Sequence, residues 1–233
     1  MHLAVKRFSN NLFRLHVSNE INNSRFTSLH FSFFVSAKKP AHTYNRIGID
    51  TGSASGKYEG TSKSDPLSGS LSGAHYIWRT EGGFTYGFVY HQIDVKGSVT
   101  ANSTETTHLY KQETYSVTLG IEMEGTNLLS ILTFNPQYIY SFHGKGSYQY
   151  ENKGAEIRTS DLIENGVALS GFELPIYLDF QNFYIGGKYS SFSNSGPKQI
   201  VYDSRGPDKI KITNGVTFLI GWNFGEKKRS RRR

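Results

Sequence analysis

The sequence predicts an all-β fold, an antiparallel up-and-down transmembrane β-barrel in which about 10 strands are clear. Apolar side chains recur at every second position along several segments, as they do in strands with one apolar face. Several of these segments reach about ten residues, which is enough to cross a bilayer at a tilt. Aromatic residues make up 14% of a chain that is only 36% hydrophobic, which fits rings of aromatic side chains at both membrane interfaces.

Four segments carry the alternation most clearly. Successive side chains of a strand point to opposite sides, so each segment has one apolar face and one polar or small face. The apolar faces comprise Phe84, Tyr86, Phe88 and Tyr90; Val117, Leu119, Ile121 and Met123; Leu132, Phe134, Pro136, Tyr138, Tyr140 and Phe142; and Val216, Phe218, Ile220, Trp222 and Phe224. Weaker alternation in residues 13–18, 29–36, 47–51 and 74–79 predicts further strands.

Turn residues separate the predicted strands. Glu81, Gly82 and Gly83 lie between two alternating runs and predict a hairpin. Longer polar stretches are predicted as loops at residues 57–70, 96–108 and 145–161. No linker divides the chain, so these strands and loops are predicted to form a single domain.

The charge of the chain is concentrated at its C-terminal end. Lys and Arg number 26 against 19 Asp and Glu, and six of the basic residues fall within 225–233. The remainder is close to neutral, so no nucleic-acid partner is predicted. The chain therefore divides into a predicted barrel domain, 1–224, and a basic disordered tail, 225–233. Binding of the tail to anionic lipid head groups is the less favoured interpretation.

Nothing in the sequence predicts an enzyme. The chain has no cysteine, and its eight histidines include no close-spaced pair of the kind found in zinc sites, so no metal site is expected. Glu122 and Glu124 share one face of a strand, where pairing with Arg or Lys is favoured over acid–base catalysis. The side chains predicted to line a polar lumen are Glu122, Glu124, Thr133, Asn135 and Gln137.

Alternation alone does not separate a membrane barrel from a soluble β-sandwich that binds a ligand or carbohydrate. In a sandwich, Phe84, Phe88, Leu119 and Phe218 would converge on one dry centre between two layers. In a membrane barrel, the same side chains would coat the outer wall, and polar residues would line the interior. The aromatic content and the strand lengths favour the barrel.

The order of several short segments along the chain carries a further signal. The matching stretches are residues 12–16, 46–49, 72–78, 83–88, 115–122, 134–141, 165–171 and 218–224. In this order they resemble the C-terminal translocator domain of type V secretion autotransporters. The resemblance covers residues 11 to 224 and takes 12–16 as the first barrel strand.

The resemblance implies a twelve-stranded barrel in the Gram-negative cell outer membrane that translocates or anchors an N-terminal passenger. It implies outer-membrane lipid, the barrel assembly machinery and a passenger encoded upstream as partners, and no cofactor. The final alternating residues would be the signal that the assembly machinery reads, namely Phe218, Ile220, Trp222 and Phe224. Since this sequence shows no signal peptide and no passenger, it is expected to be a translocator fragment, a split-gene product or a decayed copy.

Overall fold

The computed structural model describes residues 2–8, 12–18, 29–34, 43–59, 64–101, 104–125, 131–152, 158–163, 167–180, 182–196, 200–201 and 207–225. Their regular secondary structure is β-strand throughout. Within the same residues, no helix has the length and hydropathy needed to cross a membrane. The tail from residue 226 onward lies outside the described residues, so its predicted disorder stays a prediction.

In the described chain, eight long strands pair side by side and close into a ring. In ring order they are β4 (Tyr44–Glu59), β5 (Ser64–Arg79), β6 (Phe84–Ala101), β7 (Thr104–Ile121), β10 (Gln137–Asn152), β12 (Ala168–Phe180), β13 (Phe183–Gly196) and β15 (Pro207–Phe224). Every pairing in the ring is antiparallel. The pairing of β10 with β12 closes the ring on the side away from the contact between β15 and β4. The last strand pairs with the first, with Trp222 opposite Ile47, so the ring has no free edge at this seam.

Shorter strands extend this ring into the twelve-stranded sheet that the described residues form. These are β8 (Met123–Glu124), β9 (Leu132–Phe134), β11 (Arg158–Ile163) and β14 (Ile200–Val201). The predicted fold class, an all-β antiparallel up-and-down barrel, is confirmed. Its closed ring of eight long strands is a smaller cylinder than the twelve-stranded barrel that the autotransporter resemblance implies.

The N-terminal strands pair in a separate three-stranded sheet. It consists of β1 (His2–Phe8), β2 (Leu12–Ser18) and β3 (Leu29–Phe34). Residues 12–16, which the resemblance takes as the first barrel strand, therefore pair outside the ring, and the ring begins at Tyr44. Alternation predicts a strand but not the sheet that it joins. The extent of the barrel domain over 1–224 stays a prediction.

The ring strands continue through stretches that the sequence predicts as loops. Residues 57–59, 64–70, 96–101, 104–108, 145–152 and 158–161 are in paired strands, so the loop prediction is wrong there. The strands stay paired there because their inward side chains are still apolar where their outward side chains are already polar. Leu71 and Ile93, for example, face each other across β5 and β6 and are fully buried.

Two local features follow the sequence chemistry closely. The predicted hairpin at 81–83 is confirmed: Gly83 has φ +80° and its N–H donates to Thr80 O at 3.0 Å. Pro136, which has no N–H to donate, separates β9 from β10. The predicted continuous strand over 132–142 is thus interrupted, while the Pro136 carbonyl still accepts from Ile121 N–H at 3.1 Å.

Candidate membrane interface and lumen

An apolar belt covers the outer wall at one end of the ring. This turn end is where the 80–83 turn joins β5 to β6, where β4 begins and where β15 ends. The exposed large apolar side chains of the belt are Ile47, Ile49, Phe84, Tyr86, Phe88, Tyr115, Val117, Leu119, Ile121, Tyr138, Tyr140, Phe142, Phe180, Phe183, Tyr189, Val216, Phe218, Ile220, Trp222 and Phe224. Contiguous exposed apolar surface of this kind marks contact with a membrane or a partner.

The belt decides between the two folds that the sequence leaves open. Phe84, Phe88, Leu119 and Phe218 are 46%, 53%, 55% and 54% exposed, so they do not meet in a dry centre. In a sandwich they would be core residues with little exposed surface. The soluble sandwich is therefore not favoured.

The height of the belt suits a bilayer. On β15 it runs from Val216 to Phe224, eight residue steps. At about 3.3 Å per residue this is about 26 Å along the strand, or about 20 Å in height at a tilt near 40°. Outer-membrane barrels carry an apolar band about 25 Å tall, so the two heights are comparable.

Aromatic side chains are paired at both margins of the belt. Near the turn end, Trp78 stacks on Tyr86 with ring centroids 5.5 Å apart. At the opposite margin, Tyr90 and Tyr115 lie 5.2 Å apart, and Tyr115 lies 5.9 Å from His143. Amphipathic rings at these two levels are typical of membrane–water interfaces.

At the opposite end of the ring, which we call the loop end, the outer face of the wall is polar and the inner face is apolar. Its exposed outward residues become polar, including Ser53, Ser55, Gln92, Lys96, Lys111, Lys145, Gln149 and Lys209. Inside, a cluster that we call the dry core consists of Ala54, Tyr58, Leu67, Leu71, Ile93, Val95, Tyr110, Ile139, Tyr148, Leu169, Phe192, Ile210 and Ile212. The sequence analysis missed this second core, although Ile93 and Val95 already alternate with Asp94 and Lys96.

The predicted assembly residues occupy the seam of the ring. Phe218, Ile220, Trp222 and Phe224 all point outward into the belt from β15, which pairs with β13 on one side and β4 on the other. The strand therefore has an apolar outer face and closes the cylinder. Recognition of these residues by the barrel assembly machinery stays a prediction.

The predicted lumen residues lie mostly inside the ring. Glu122, Thr133, Asn135 and Gln137 are buried. Thr133 donates to Asp179 Oδ2 at 2.7 Å, and Asn135 accepts from Thr85 at 2.9 Å. Glu124 lies instead at the rim, with its side chain 44% exposed and 3.0 Å from Arg79 Nη2.

A balanced charge cluster fills the lumen near the turn end. This turn-end cluster consists of Tyr44, Arg46, Arg79, Glu122 and Asp179. Arg46 donates to both carboxylate oxygens of Asp179 at 2.9 Å, and its guanidinium lies 4.1 Å from the centre of the Tyr177 ring. Arg79 Nε lies 2.9 Å from Glu122 Oε1. The two arginines offset the two buried carboxylates, as buried charges require.

A second cluster lies deeper along the barrel axis. This mid-lumen cluster consists of Asp50, His75, His91, Glu173 and Lys188. Lys188 Nζ lies 3.1 Å from Asp50 Oδ2, 3.2 Å from Glu173 Oε1 and 3.2 Å from His91 Nε2. The carboxylate of Glu173 also accepts from Ser190 and Gln137, both at 2.9 Å. One ammonium therefore joins three strands through two carboxylates and an imidazole.

Glycines make room for these side chains. A Cβ on Gly73 would lie 2.8 Å from Asp50 Oδ1, and a Cβ on Gly48 would collide with the Tyr184 hydroxyl. That hydroxyl lies 2.6 Å from His75 Nε2. The sequence analysis did not identify Arg46, Asp50 or Lys188. A charge next to an apolar outward residue, as in the pairs 46–47 and 49–50, is the signal that would have found the first two.

The comparisons with known proteins give likenesses in solved structures. No protein-family model matches the chain, and no curated protein matches it. Ail, the attachment invasion locus protein of Yersinia pestis, is 15% identical with a TM-score of 0.39, covering 77% of this chain and 99% of its own. Neisserial surface protein A is 10% identical with a TM-score of 0.38, covering 79% and 97%. The outer membrane protein OprG from Pseudomonas aeruginosa is 11% identical with a TM-score of 0.37, covering 80% and 96%.

The chain folds as a closed antiparallel β-barrel. This assignment depends on the pairing of β15 with β4 and of β10 with β12 within the chain itself. Among the described residues, no group of His, Cys, Asp and Glu side chains could hold a metal ion. The features that remain to be given a role are the belt and the filled lumen.

Proposed function

We propose that this protein is an integral β-barrel of the bacterial outer membrane. The observation that carries the proposal is the reversal of the wall: the exposed outward residues are apolar along the belt and polar beyond it, where the dry core fills the interior. Contact with lipid accounts for the apolar outer wall of the belt, and contact with water accounts for the polar outer wall of the loop end. Short turns face the periplasm in bacterial barrels, so the turn end is assigned to the periplasm and the loop end to the cell surface.

Within the membrane, we propose that the barrel serves as an anchor. Eight strands enclose a space just wide enough to be filled by side chains. Here the two charge clusters and the dry core occupy that space. Of the autotransporter prediction, only anchoring fits this lumen, and the segment before Tyr44, which leaves the ring at the turn end, would be held on the periplasmic side. Passage of a polypeptide through the finished ring does not fit, because it would have to displace the Arg46 and Lys188 contacts.

Insertion of urea-unfolded chain into lipid vesicles tests the proposal. Phe88 and Gln92 both point outward from β6, the first in the belt and the second beyond it. A lysine at the bilayer midplane costs about 2–4 kcal/mol, and one near the interface costs about 0–1 kcal/mol. Phe88→Lys should therefore reduce the heat-modifiable, protease-resistant fraction, whereas Gln92→Lys should leave it unchanged. Folding of the wild-type chain in buffer without lipid or detergent would refute the proposal.

A further inference from the structure

The inner face of β7 carries a continuous column of polar side chains. Gln112, Thr114, Ser116 and Thr118 occupy successive inward positions, and none is more than 2% exposed. Within the described residues, Gln112 Nε2 and the three hydroxyl groups have no hydrogen-bond partner in the protein. We call these four residues the polar column.

No direct hydrogen bond joins the members of the column to one another. Successive inward residues are about 6.7 Å apart along a strand. Two hydrogen bonds through one water molecule span about 5.6 Å, whereas a direct bond spans about 2.8 Å. The spacing is therefore suited to one bridging water between each pair of neighbours. Buried polar groups that lack protein partners are regularly satisfied in this way.

The neighbouring strands place few further polar groups against the column. On β10, Gly144 lies opposite Thr114 and Gly146 lies opposite Gln112, so these two positions carry no side chain of their own, and Val167 and Tyr110 pack beside them. On β6, His91 lies opposite Thr114, and its Nδ1 is also buried without a protein partner. The other nitrogen of His91 contacts Glu173 and Lys188.

We propose that the polar column binds a file of ordered water molecules that reaches His91 Nδ1. Water is the ligand that fits, because hydroxyl, amide and imidazole groups need a partner that both donates and accepts. The file is blind at the loop end. There Tyr110 donates to Gln112 Oε1 at 2.8 Å, and the dry core begins. It therefore hydrates the mid-lumen cluster from within the barrel without forming a pore.

Water–protein magnetisation transfer in the isotope-labelled full chain, refolded in detergent micelles, tests the proposal. Long-lived water contacts are expected at the amide and side-chain protons of residues 112–118. None is expected at Ile210, a residue of the dry core on β15, four strands away from β7. The absence of such contacts along β7 would overturn the file, even if the barrel itself is folded in lipid as proposed above.

Isosteric variants give an independent readout. If Thr114 and Thr118 bind water, Thr114→Val and Thr118→Val should lower the urea midpoint of unfolding and remove the water contacts of the neighbouring residue. If the wall is dry, the same variants relieve an unsatisfied hydroxyl and raise the midpoint, which would contradict the proposal. Thr51→Val, on the exposed outer face of β4, is the matched control and should change neither measurement. Should a variant fail to refold, the wild-type water contacts decide.

Discussion

Lys188→Met should destabilise the barrel strongly, because it removes the ammonium that lies between two buried carboxylates. The Lys188 side chain is 2% exposed, and those of Asp50 and Glu173 are 0% exposed. Methionine keeps most of the apolar stem, so the loss of charge dominates. Removing one partner of a buried ion pair costs about 3–5 kcal/mol, since it leaves an uncompensated charge out of water.

The measurement is urea unfolding of the refolded chain in lipid vesicles, followed by the fluorescence of Trp78 and Trp222. With an unfolding slope of about 1–3 kcal/mol per M, the midpoint should fall by about 1–3 M or more. Lys145→Met is the matched control. Its ammonium lies 3.0 Å from Glu113 Oε2, but the lysine side chain is 47% exposed, so less than about 1 kcal/mol is expected.

A compensated variant separates charge from packing. Lys188→Met combined with Asp50→Asn and Glu173→Gln leaves no unpaired carboxylate and keeps side chains that can hydrogen-bond, so most of the lost stability should return. Two results would refute the reasoning. One is a Lys188→Met midpoint no lower than that of Lys145→Met, and the other is a compensated variant no more stable than the single one.

Three further predictions follow from the same contacts. Gly73→Ala should lower the unfolding free energy by about 1–3 kcal/mol, because its Cβ would displace the Asp50 carboxylate, whereas Gly82→Ala in the open 80–83 turn should change it little; equal urea midpoints would contradict this. The full chain in planar bilayers should show no steady conductance, and a stable open pore would disprove the filled lumen. Phe224→Ala should reduce assembly in cells more than Phe142→Ala, a change at another exposed belt aromatic, and equal membrane-inserted fractions would argue against an assembly signal on β15.

The belt could be predicted from the sequence because the apolar period that forms it is visible within each single strand. Phe84 to Tyr90 and Val216 to Phe224 each show their period without reference to any other segment. Polar residues placed opposite that period, such as Glu122 and Asn135, could be assigned to the interior by the same rule. Local alternation therefore predicts which face of a strand is apolar.

The partners inside the lumen could not be predicted in this way. Arg46 and Asp179 are separated by 133 residues, and Lys188 and His91 by 97, so their contact depends on ring order and register. The number of strands in the ring also depends on pairing, which is why residues 12–16 resemble a barrel strand but pair elsewhere. The dry core was missed because the outward positions of its strands are polar. Segments with many polar residues were therefore predicted as loops, although their inward positions are apolar.

The lumen contacts brace the ring in directions that backbone pairing does not. Hydrogen bonds of the sheet tie each strand only to its two neighbours. Arg46 of β4 instead reaches Asp179 of β12, three strands away, and Lys188 of β13 reaches His91 of β6, four strands away on the opposite side of the ring. Lipid solvates the belt as well as another protein surface would, so burial of the belt gives little force that fixes the shape of the cylinder. At the level of the belt, the contacts that fix the shape of the cylinder must therefore lie inside it, and the charge clusters provide them. At the loop end, where the outer wall faces water, the dry core has this role.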